Sequence, residues 1–253
     1  MRAPGVRWAG RTLGSALSGP SGLGPDPYNP TVDTETRFRD LTVAQFVDQL
    51  ASGEPVPGGG AAAAVAGSLG AALVAMVSAL SVGRPKYADH AALHADASAA
   101  GHALADRLLA LADEDATAYA GYGAAMKMPR DTDEEKAART LAIRGAAHAA
   151  SLAPLKTVEV CVEVVCWAEA LAGRSNKNAS SDLEVSSLLA VAAARSAAAN
   201  VYINLPSLGD EDLARELFRR TEAAADEVER LADRTREIVR GGDSRDPLPP
   251  EHA

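Results

Sequence analysis

The sequence predicts an all-α protein, an up-and-down bundle of long helices that associates as a homodimer. Three observations support this fold class: alanine-rich windows with helical spacing, a near absence of strand patterns, and Pro or Gly between the windows. Aromatic residues make up only 4% of the chain and hydrophobic residues 47%, so we expect helices that pack closely through small side chains. Long apolar faces that exceed the needs of one bundle indicate self-association.

The charge balance and the cysteines narrow the functional classes. The formal net charge is -9, so we expect no nucleic-acid partner. No apolar run reaches membrane-spanning length without small or polar interruptions, which predicts no membrane helix. Cys161 and Cys166 are five residues apart in a predicted helix and face different sides. We interpret them as buried small hydrophobes in a reducing cytoplasm, and neither as a disulfide nor as a metal pair.

One helical domain is expected over residues 38–242, between two disordered tails. The 253 residues are enough for one good-sized core. Residues 1–37 are rich in Gly, Pro and Ser and lack sustained periodicity, so a disordered tail and an over-extended start of the reading frame both fit. Their early arginines weakly resemble a targeting segment, but a continuous apolar stretch is missing. Residues 243–253 are the second predicted tail.

Capping boxes and prolines set the predicted helix boundaries. Thr42 with Gln45 opens a short first helix, and Leu41 with Phe46 has the spacing of a hydrophobic staple. The helices that follow are predicted over residues 60–81, 88–126, 132–153, 155–171, 181–200 with an extended exit at 201–205, and 210–240.

Two further capping boxes and one proline mark the later part of the chain. Thr132 with Glu135 opens the fourth helix, and Ser181 with Glu184 opens the sixth. Pro154 kinks the fourth helix or ends it.

A glycine loop precedes the second helix. Gly58, Gly59 and Gly60 allow φ > 0 and leave backbone N–H groups uncovered by side chains. The helix behind them directs its free N–H groups and the positive end of its dipole at whatever lies over the loop. An anionic or carbonyl-rich ligand fits such a turn. A tight turn followed by small residues that let two helices approach closely fits the same pattern, and both interpretations stay open at this point.

Short motifs follow one another in a set order between residues 41 and 240. They are Pro57-Gly58-Gly59-Gly60, Gly83-Arg84 with Lys86-Tyr87, Asp113-Glu114-Asp115-Ala116 before Tyr119, Pro129 with Thr132 and Glu135, Asn176-Lys177-Asn178 before Ser181-Asp182, and Asn200-Val201 with Ile203-Asn204-Leu205. Each motif alone is weak. The ordered set resembles the cyclodeaminase domain of formiminotransferase-cyclodeaminase and the related bacterial methenyltetrahydrofolate cyclohydrolases. Ala61 and Ser175 depart from the family pattern, which often has serine and glycine there.

The resemblance implies a cytoplasmic enzyme of folate one-carbon metabolism whose substrate is a tetrahydrofolate derivative. The first hypothesis is a lyase, a cyclodeaminase that converts 5-formimidoyl-tetrahydrofolate to 5,10-methenyl-tetrahydrofolate and ammonia. The alternative is a hydrolase, a methenyltetrahydrofolate cyclohydrolase, which adds water to the methenyl carbon. A second alternative is a non-catalytic folate-binding or partner protein that docks on a separate formiminotransferase. The residues do not separate ammonia expulsion from water addition, because both reactions use the same ligand skeleton.

The resemblance places the catalytic aspartate at Asp115, and the residues around it suit proton transfer. Leu108 and Leu111 precede it on the same predicted helix, and a carboxyl group near such an apolar stripe has a raised pKa. Asp113 and Glu114 point around the helix and are expected to be solvated. Without the family, all three acids fit an ordinary charged surface patch.

Further residues complete the predicted site. Lys86 is assigned to the catalytic group, where it holds the glutamyl carboxylates or polarises the reacting region, and an exposed lysine is the alternative. Asn176, Asn178 and Asp182 are assigned to the pterin edge because amides donate and accept, although loop structure and helix capping fit them too. The predicted substrate-binding set is Pro57, Gly58, Gly59, Gly60, Arg84, Asn176, Asn178 and Asp182.

Four other polar residues are given structural roles. His90 and His94 have the i, i+4 spacing of metal ligands on one helical face, but a third ligand is missing from the pattern. We interpret them as exposed histidines on an alanine-rich helix and predict no metal. Asn200 and Asn204 lie near a helix end, where they are expected to satisfy backbone groups.

Overall fold

The computed structural model describes residues 37–248, so residues 1–36 and 249–253, with the two tails predicted there, lie outside the described part of the chain. Over 37–248 the chain forms α-helices and short 3₁₀ segments without a β-strand. The α-helices are α1 (Val43–Leu50), α2 (Gly59–Ala79), α3 (Ala91–Met126), α4 (Asp133–Leu171), α5 (Ser180–Asn204) and α6 (Glu211–Gly241). The 3₁₀ segments are Phe38–Asp40, Pro85–His90, Lys177–Ala179 and Leu205–Ser207.

Helices α2 to α5 run alternately up and down, and together with α6 they form the core. α2 lies against α3 and α5, α4 packs on the same two helices, and α6 covers α4 and α5. The core side chains are mainly Ala, Val and Leu, and Leu108 and Leu111 are fully buried. Gly101 allows α3 to approach α2 closely, because a Cβ there would lie 2.7 Å from the backbone nitrogen of Ala75. The predicted helical bundle with close small-residue packing is confirmed.

Two of the three predicted capping boxes are present. The side chains of Thr42 and Thr132 each accept a hydrogen bond from the backbone N–H three residues later. The side chain of the glutamine or glutamate there accepts one from the backbone N–H of the threonine. The third box, at Ser181, is wrong. The 3₁₀ segment Lys177–Ala179 leads directly into α5, and Asn176 is the residue whose side chain caps this turn.

α4 continues through Pro154, where the sequence predicted a kink or an end. Proline has no N–H to donate to the carbonyl four residues earlier, so the oxygen of Ala150 lacks its donor within the helix. The amide nitrogen of Asn204 on α5 donates to that oxygen at 3.1 Å. A donor from a neighbouring helix therefore replaces the missing N–H. The predicted helix end at Pro154 is therefore wrong, and so is the extended exit at 201–205, since α5 is helical up to Asn204.

The bundle extends beyond residue 242, where the sequence predicted the start of a tail. Residues 243–248 have no regular secondary structure, but they are held on the end of α4. The backbone N–H of Arg245 donates to the carbonyl of Gly173 at 2.9 Å. Arg174 is buried, and its guanidinium donates to the carbonyl of Asp246 at 2.6 Å. These contacts make residues 243–248 part of the folded domain.

Two helical stretches, Gly59–Ala79 and Lys177–Ser207, are long and apolar enough to cross a membrane by length and composition. The first is α2, and 61% of its most apolar window is buried inside the bundle. A buried core helix passes the same test, and α2 packs as one.

The two cysteines differ in burial. Cys161 is buried as predicted, and burial raises the pKa of its thiol to about 12. Cys166 is exposed, so its predicted burial is wrong. A side chain five residues further along a helix is rotated by about 140° around the helix axis. Cys166 therefore points away from the core in which Cys161 lies.

Candidate active site

A cavity of about 420 Å³ lies at the end of the bundle where α2 begins. Because α2 runs antiparallel to α3 and α5, its first turn lies beside the middle of α3 and the end of α5. The wall is formed by Pro55, Val56, Gly58, Gly59, Gly60, Asp115, Ala116, Tyr119, Tyr122, Ala150, Asn200, Ile203 and Asn204. The glycine turn and the acid singled out from the sequence therefore meet in one cavity, whereas Pro57 is not among its lining residues.

Gly60 lies directly against Asp115. A Cβ built on Gly60 would overlap the carboxylate of Asp115, so a side chain larger than hydrogen does not fit. The positive φ that glycine allows is not used in this turn, because Gly58, Gly59 and Gly60 all lack it. What the site requires of Gly60 is space for a neighbouring carboxylate.

The first turn of α2 supplies hydrogen-bond donors to the cavity. The carbonyl of Gly58 accepts the first helical bond, from Ala62 at 3.0 Å. The N–H groups of Gly59, Gly60 and Ala61 consequently have no acceptor within the helix. The positive end of the helix dipole adds to their attraction for a carbonyl oxygen or an anion.

Asp115 is a half-buried acid with free oxygens. Burial raises the pKa of its carboxyl group above the usual value, as its apolar surroundings predicted. Among residues 37–248, the hydrogen bonds of the structure leave both carboxylate oxygens without a donor. A carboxyl group of raised pKa that faces a cavity is suited to take up a proton and return it.

The two acids before Asp115 have other partners. An oxygen of Asp113 accepts a hydrogen bond from the backbone N–H of Phe38 at 2.9 Å. Glu114 forms ion pairs with Arg107 at 2.6 Å and Lys156 at 3.2 Å. Burial opposes the ionisation of Glu114, but the hydrogen bonds from these two cations outweigh it and hold its pKa below the usual value. The ion pairs thus favour the ionised form of Glu114, whereas burial favours the protonated form of its neighbour Asp115.

Four polar residues of the cavity wall are not among the predicted site residues: Tyr119, Tyr122, Asn200 and Asn204. The amide nitrogen of Asn200 donates to the carbonyl of Ser196 at 2.8 Å, and that of Asn204 donates to the carbonyl of Asn200 at 2.9 Å. Their predicted role in satisfying backbone groups is confirmed. The missed signal is their i, i+4 spacing, which Asp115 and Tyr119 share and which places each pair on one helical face.

The remaining predicted site residues lie at the opposite end of α2. We call Arg84, Lys86, Asn176, Asn178 and Asp182 the distal cluster. α2 has 21 residues, and a helix of that length separates its two ends by about 30 Å. Within one chain, the distal cluster therefore does not reach the cavity.

Asn176 is bound within its own loop. It is only 6% exposed, and its backbone N–H donates to the hydroxyl of Ser81 at 2.8 Å. Its side-chain nitrogen donates to the carbonyl of Leu80 at 3.3 Å, and its side-chain oxygen accepts from the backbone N–H of Asn178 at 3.1 Å. Lys86 is exposed, with its ammonium 5.5 Å from the ring centre of Tyr87. The structural alternative considered for Asn176 matches these contacts.

The sequence predicts two exposed histidines, but His94 is buried and His90 is partly buried. His94 is 1% exposed, and its Nε2 lies 2.9 Å from the carbonyl of Arg174, to which it donates as the protonated nitrogen. Burial, followed by the proximity of His94, lowers the pKa of His90. Over residues 37–248 there is no group of three or more His, Cys, Asp or Glu side chains suited to a metal ion. The buried histidine ties the start of α3 to the loop before α5.

Comparisons with known proteins bear on this geometry. Residues 42–223 match the family model described as formiminotransferase-cyclodeaminase. A methenyltetrahydrofolate cyclohydrolase of Methylorubrum extorquens is 40% identical over 199 residues, which are 79% of this chain and 96% of the relative. A formimidoyltransferase-cyclodeaminase of Rattus norvegicus is 32% identical over 187 residues, which are 72% of this chain and 34% of the relative. The chain thus spans about a third of the rat protein.

A solved structure shares the fold. It is described as formiminotetrahydrofolate cyclodeaminase of Thermotoga maritima, and it matches with a TM-score of 0.73 at 26% sequence identity. The match covers 80% of this chain and 98% of that chain.

Proposed function

The chain belongs to the formiminotransferase-cyclodeaminase family, and we propose that within this family it is a methenyltetrahydrofolate cyclohydrolase. The observation that carries this choice is the Methylorubrum extorquens relative, which bears that name and is matched over 96% of its length. The order of the two enzyme hypotheses from the sequence is therefore reversed. The cavity in which Asp115 faces the glycine turn supports a folate site in either case.

The proposed reaction adds water to the methenyl carbon that joins N5 and N10. Asp115 accepts a proton from the water as the water oxygen bonds to that carbon. The bond between the carbon and N5 then breaks, and N5 takes the proton from Asp115. The hydroxyl proton leaves to solvent as 10-formyl-tetrahydrofolate forms. One carboxyl group serves both transfers, and its raised pKa brings it closer to the working pH.

The other residues of the cavity wall hold the ligand in place. The free N–H groups of Gly59 and Gly60 suit a carbonyl oxygen, and Tyr119 and Tyr122 add aromatic surface. The volume of about 420 Å³ falls within the usual range of small-molecule sites, about 300–1,000 Å³. Catalysis in this proposal rests on orientation together with one acid–base group.

A cyclodeaminase activity is the second candidate, because the solved Thermotoga maritima structure with the same fold bears that name. In that reaction N10 attacks the formimidoyl carbon and its proton passes to the imino nitrogen. Asp115 gives this nitrogen a second proton, and the bond from the carbon to it breaks as ammonia leaves and the methenyl cation forms. The same cavity suits both reactions, since the formimidoyl carbon on N5 is the carbon that becomes the methenyl bridge to N10.

Parallel assays on the two substrates test the proposal. Hydrolysis of methenyl-tetrahydrofolate lowers the absorbance of the methenyl group, whereas cyclisation of 5-formimidoyl-tetrahydrofolate raises it. The proposal expects enzyme-dependent loss from the first substrate, above its spontaneous rate, and little gain from the second. Gain from the second alone would establish the lyase. Tight folate binding without turnover of either substrate would indicate a binding protein.

We further propose that the chain forms a homodimer through α2 and α5. α2 has no charged residue, although Leu69 is 55% and Met76 38% exposed. Val185 and Leu188 on α5 are 45% and 48% exposed. The two helices lie side by side, and an uncharged apolar face of this kind fits a self-complementary contact with a second copy.

Such a pairing offers the distal cluster a role. Where two copies of α2 pack antiparallel about a two-fold axis, the start of one lies beside the end of the other. The Lys86 and Arg84 side chains of the second copy then approach the cavity of the first. This arrangement supports Lys86 as a residue that binds the ligand of the other copy. The cavity of its own chain is about 30 Å away.

A further inference from the structure

Pro154 and Asn204 together fix one part of the cavity wall. Pro154 leaves the carbonyl of Ala150 without its helical donor. One hydrogen of the Asn204 amide goes to this oxygen at 3.1 Å, and the other goes to the carbonyl of Asn200 at 2.9 Å. Exchanging the amide oxygen and nitrogen would set the amide oxygen against two carbonyl oxygens. The orientation of the Asn204 amide is therefore determined by its surroundings.

The amide oxygens of α5 remain available to a ligand. Asn204 lines the cavity, and both its hydrogens are engaged, so it offers an acceptor there. Asn200, one turn earlier, donates to the carbonyl of Ser196 at 2.8 Å and also lines the cavity. On the α5 side Asn204 thus offers an acceptor and Asn200 an acceptor beside one free N–H, whereas the first turn of α2 offers donors.

We propose that Asn200 and Asn204 bind the N–H donors of the pterin pyrimidine ring and that Pro154 positions Asn204 for this contact. The inference rests on the proposed folate function. A pterin carries N–H donors at N3 and the 2-amino group beside an acceptor at O4, which matches acceptors on α5 next to donors on α2. An N–H at position 154 would compete for the carbonyl of Ala150 and release one of the two anchors of Asn204.

The test compares the wild type with Asn204→Ala, Pro154→Ala and the double variant. Asn204→Ala is expected to raise KM for methenyl-tetrahydrofolate about 10-fold and to change kcat by about 2-fold or less, because the lost bond exists in both ground and transition states. Pro154→Ala is expected to raise KM about 3-fold. The double variant should match Asn204→Ala alone, since Pro154 acts through Asn204.

Thr140→Ala is the matched control. It removes a side-chain bond to the carbonyl of Lys136, also on α4 but outside the cavity wall, and should leave KM unchanged. Alanine favours the helix at position 154, so Pro154→Ala should fold. KM effects that multiply in the double variant, or a wild-type KM for Asn204→Ala, would overturn the inference while leaving the proposed function in place.

A second readout separates the two proposals. The side-chain NH₂ signals of Asn204 should exchange faster with solvent in Pro154→Ala than in the wild type, whatever the enzyme turns over. Unchanged exchange would overturn the positioning role of Pro154. A wild type that neither turns over the two folates nor binds tetrahydrofolate by calorimetry would overturn the proposed function, and the ligand contact with it.

Discussion

Polar groups from distant parts of the chain lie at both ends of α2, but their hydrogen bonding differs between the two ends. At the distal end, the amide of Asn176 and the ring of His94 are buried and hydrogen-bonded to backbone groups. At the first turn, Asp115 has free oxygens, and Asn204 keeps a free acceptor beside an open cavity. Buried groups that are hydrogen-bonded to the backbone hold a loop in place, whereas unused hydrogen-bonding capacity at a cavity leaves room for a ligand.

The strongest test of this contrast is Asp115→Asn. The amide keeps the shape of the side chain but cannot accept a proton from water, so kcat should fall by at least about 100-fold. Asp113→Asn, two residues earlier and hydrogen-bonded to Phe38, is the control and should retain activity. The absorbance assay on methenyl-tetrahydrofolate measures both. Full activity of Asp115→Asn would remove the acid from the mechanism.

The next largest effect is expected for Gly60→Ala. The added methyl group would occupy the position of the Asp115 carboxylate, and displacing that carboxylate by an ångström should lower kcat/KM by about 100-fold. Gly145→Ala on α4 has nothing within 4 Å of the added carbon, so it should keep activity and gain about 0.5–1 kcal/mol in unfolding free energy. Equal activity of the two variants would contradict the close contact.

The Lys86→Ala variant tests whether the end of α2 in one copy lies beside the start of α2 in the other copy of a dimer. The variant alone should lower kcat/KM about 10-fold through the loss of a charged contact with the ligand. Mixing it with Asp115→Asn should restore activity towards about a quarter of the wild type, because mixed dimers hold one intact site of two. Activity that does not rise on subunit exchange would show that the sites are not shared.

Asn176→Ala should affect stability and leave catalysis unchanged. It removes the partner of the Leu80 carbonyl and of the Asn178 N–H, which should cost about 1–3 kcal/mol. Urea unfolding measures the loss, and KM at 25 °C should stay within about 2-fold of the wild type. Asn178→Ala, whose side chain is exposed, is the control. A raised KM with normal stability would place Asn176 in the binding site after all.

The smallest effect concerns pH. Because the pKa of Asp115 is higher in the folded than in the unfolded chain, its favourable contribution is full below the unfolded value, about 3.9, and is lost as the pH rises through the folded value. Asp115→Asn should therefore melt slightly higher than the wild type at pH 7, with the gap closing towards pH 4. Calorimetry across this range measures it, and a gap that widens on acidification would mean a lowered pKa.

The sequence predicted the helices well and their junctions less well. The boxes at Thr42 and Thr132 involve residues three apart, so local spacing was enough. The box at Ser181 has the same spacing, but Asn176 caps a turn that begins four residues before Ser181. The position of Asn176 depends on Ser81 and Leu80 from another part of the chain. Continuation of α4 through Pro154 likewise depends on a donor from α5.

By itself, the sequence determined the helical fold, the glycine turn and an acid of raised pKa in an apolar stripe, because helical periodicity, glycine content and local polarity are properties of neighbouring residues. Only the tertiary structure decided which motifs share a cavity. It brought Gly60, Asp115 and Asn204 together and left Lys86 and Asn176 a helix length away. The physical reason is that antiparallel packing joins the start of α2 to the middle of α3 and the end of α5, and no local pattern records that pairing.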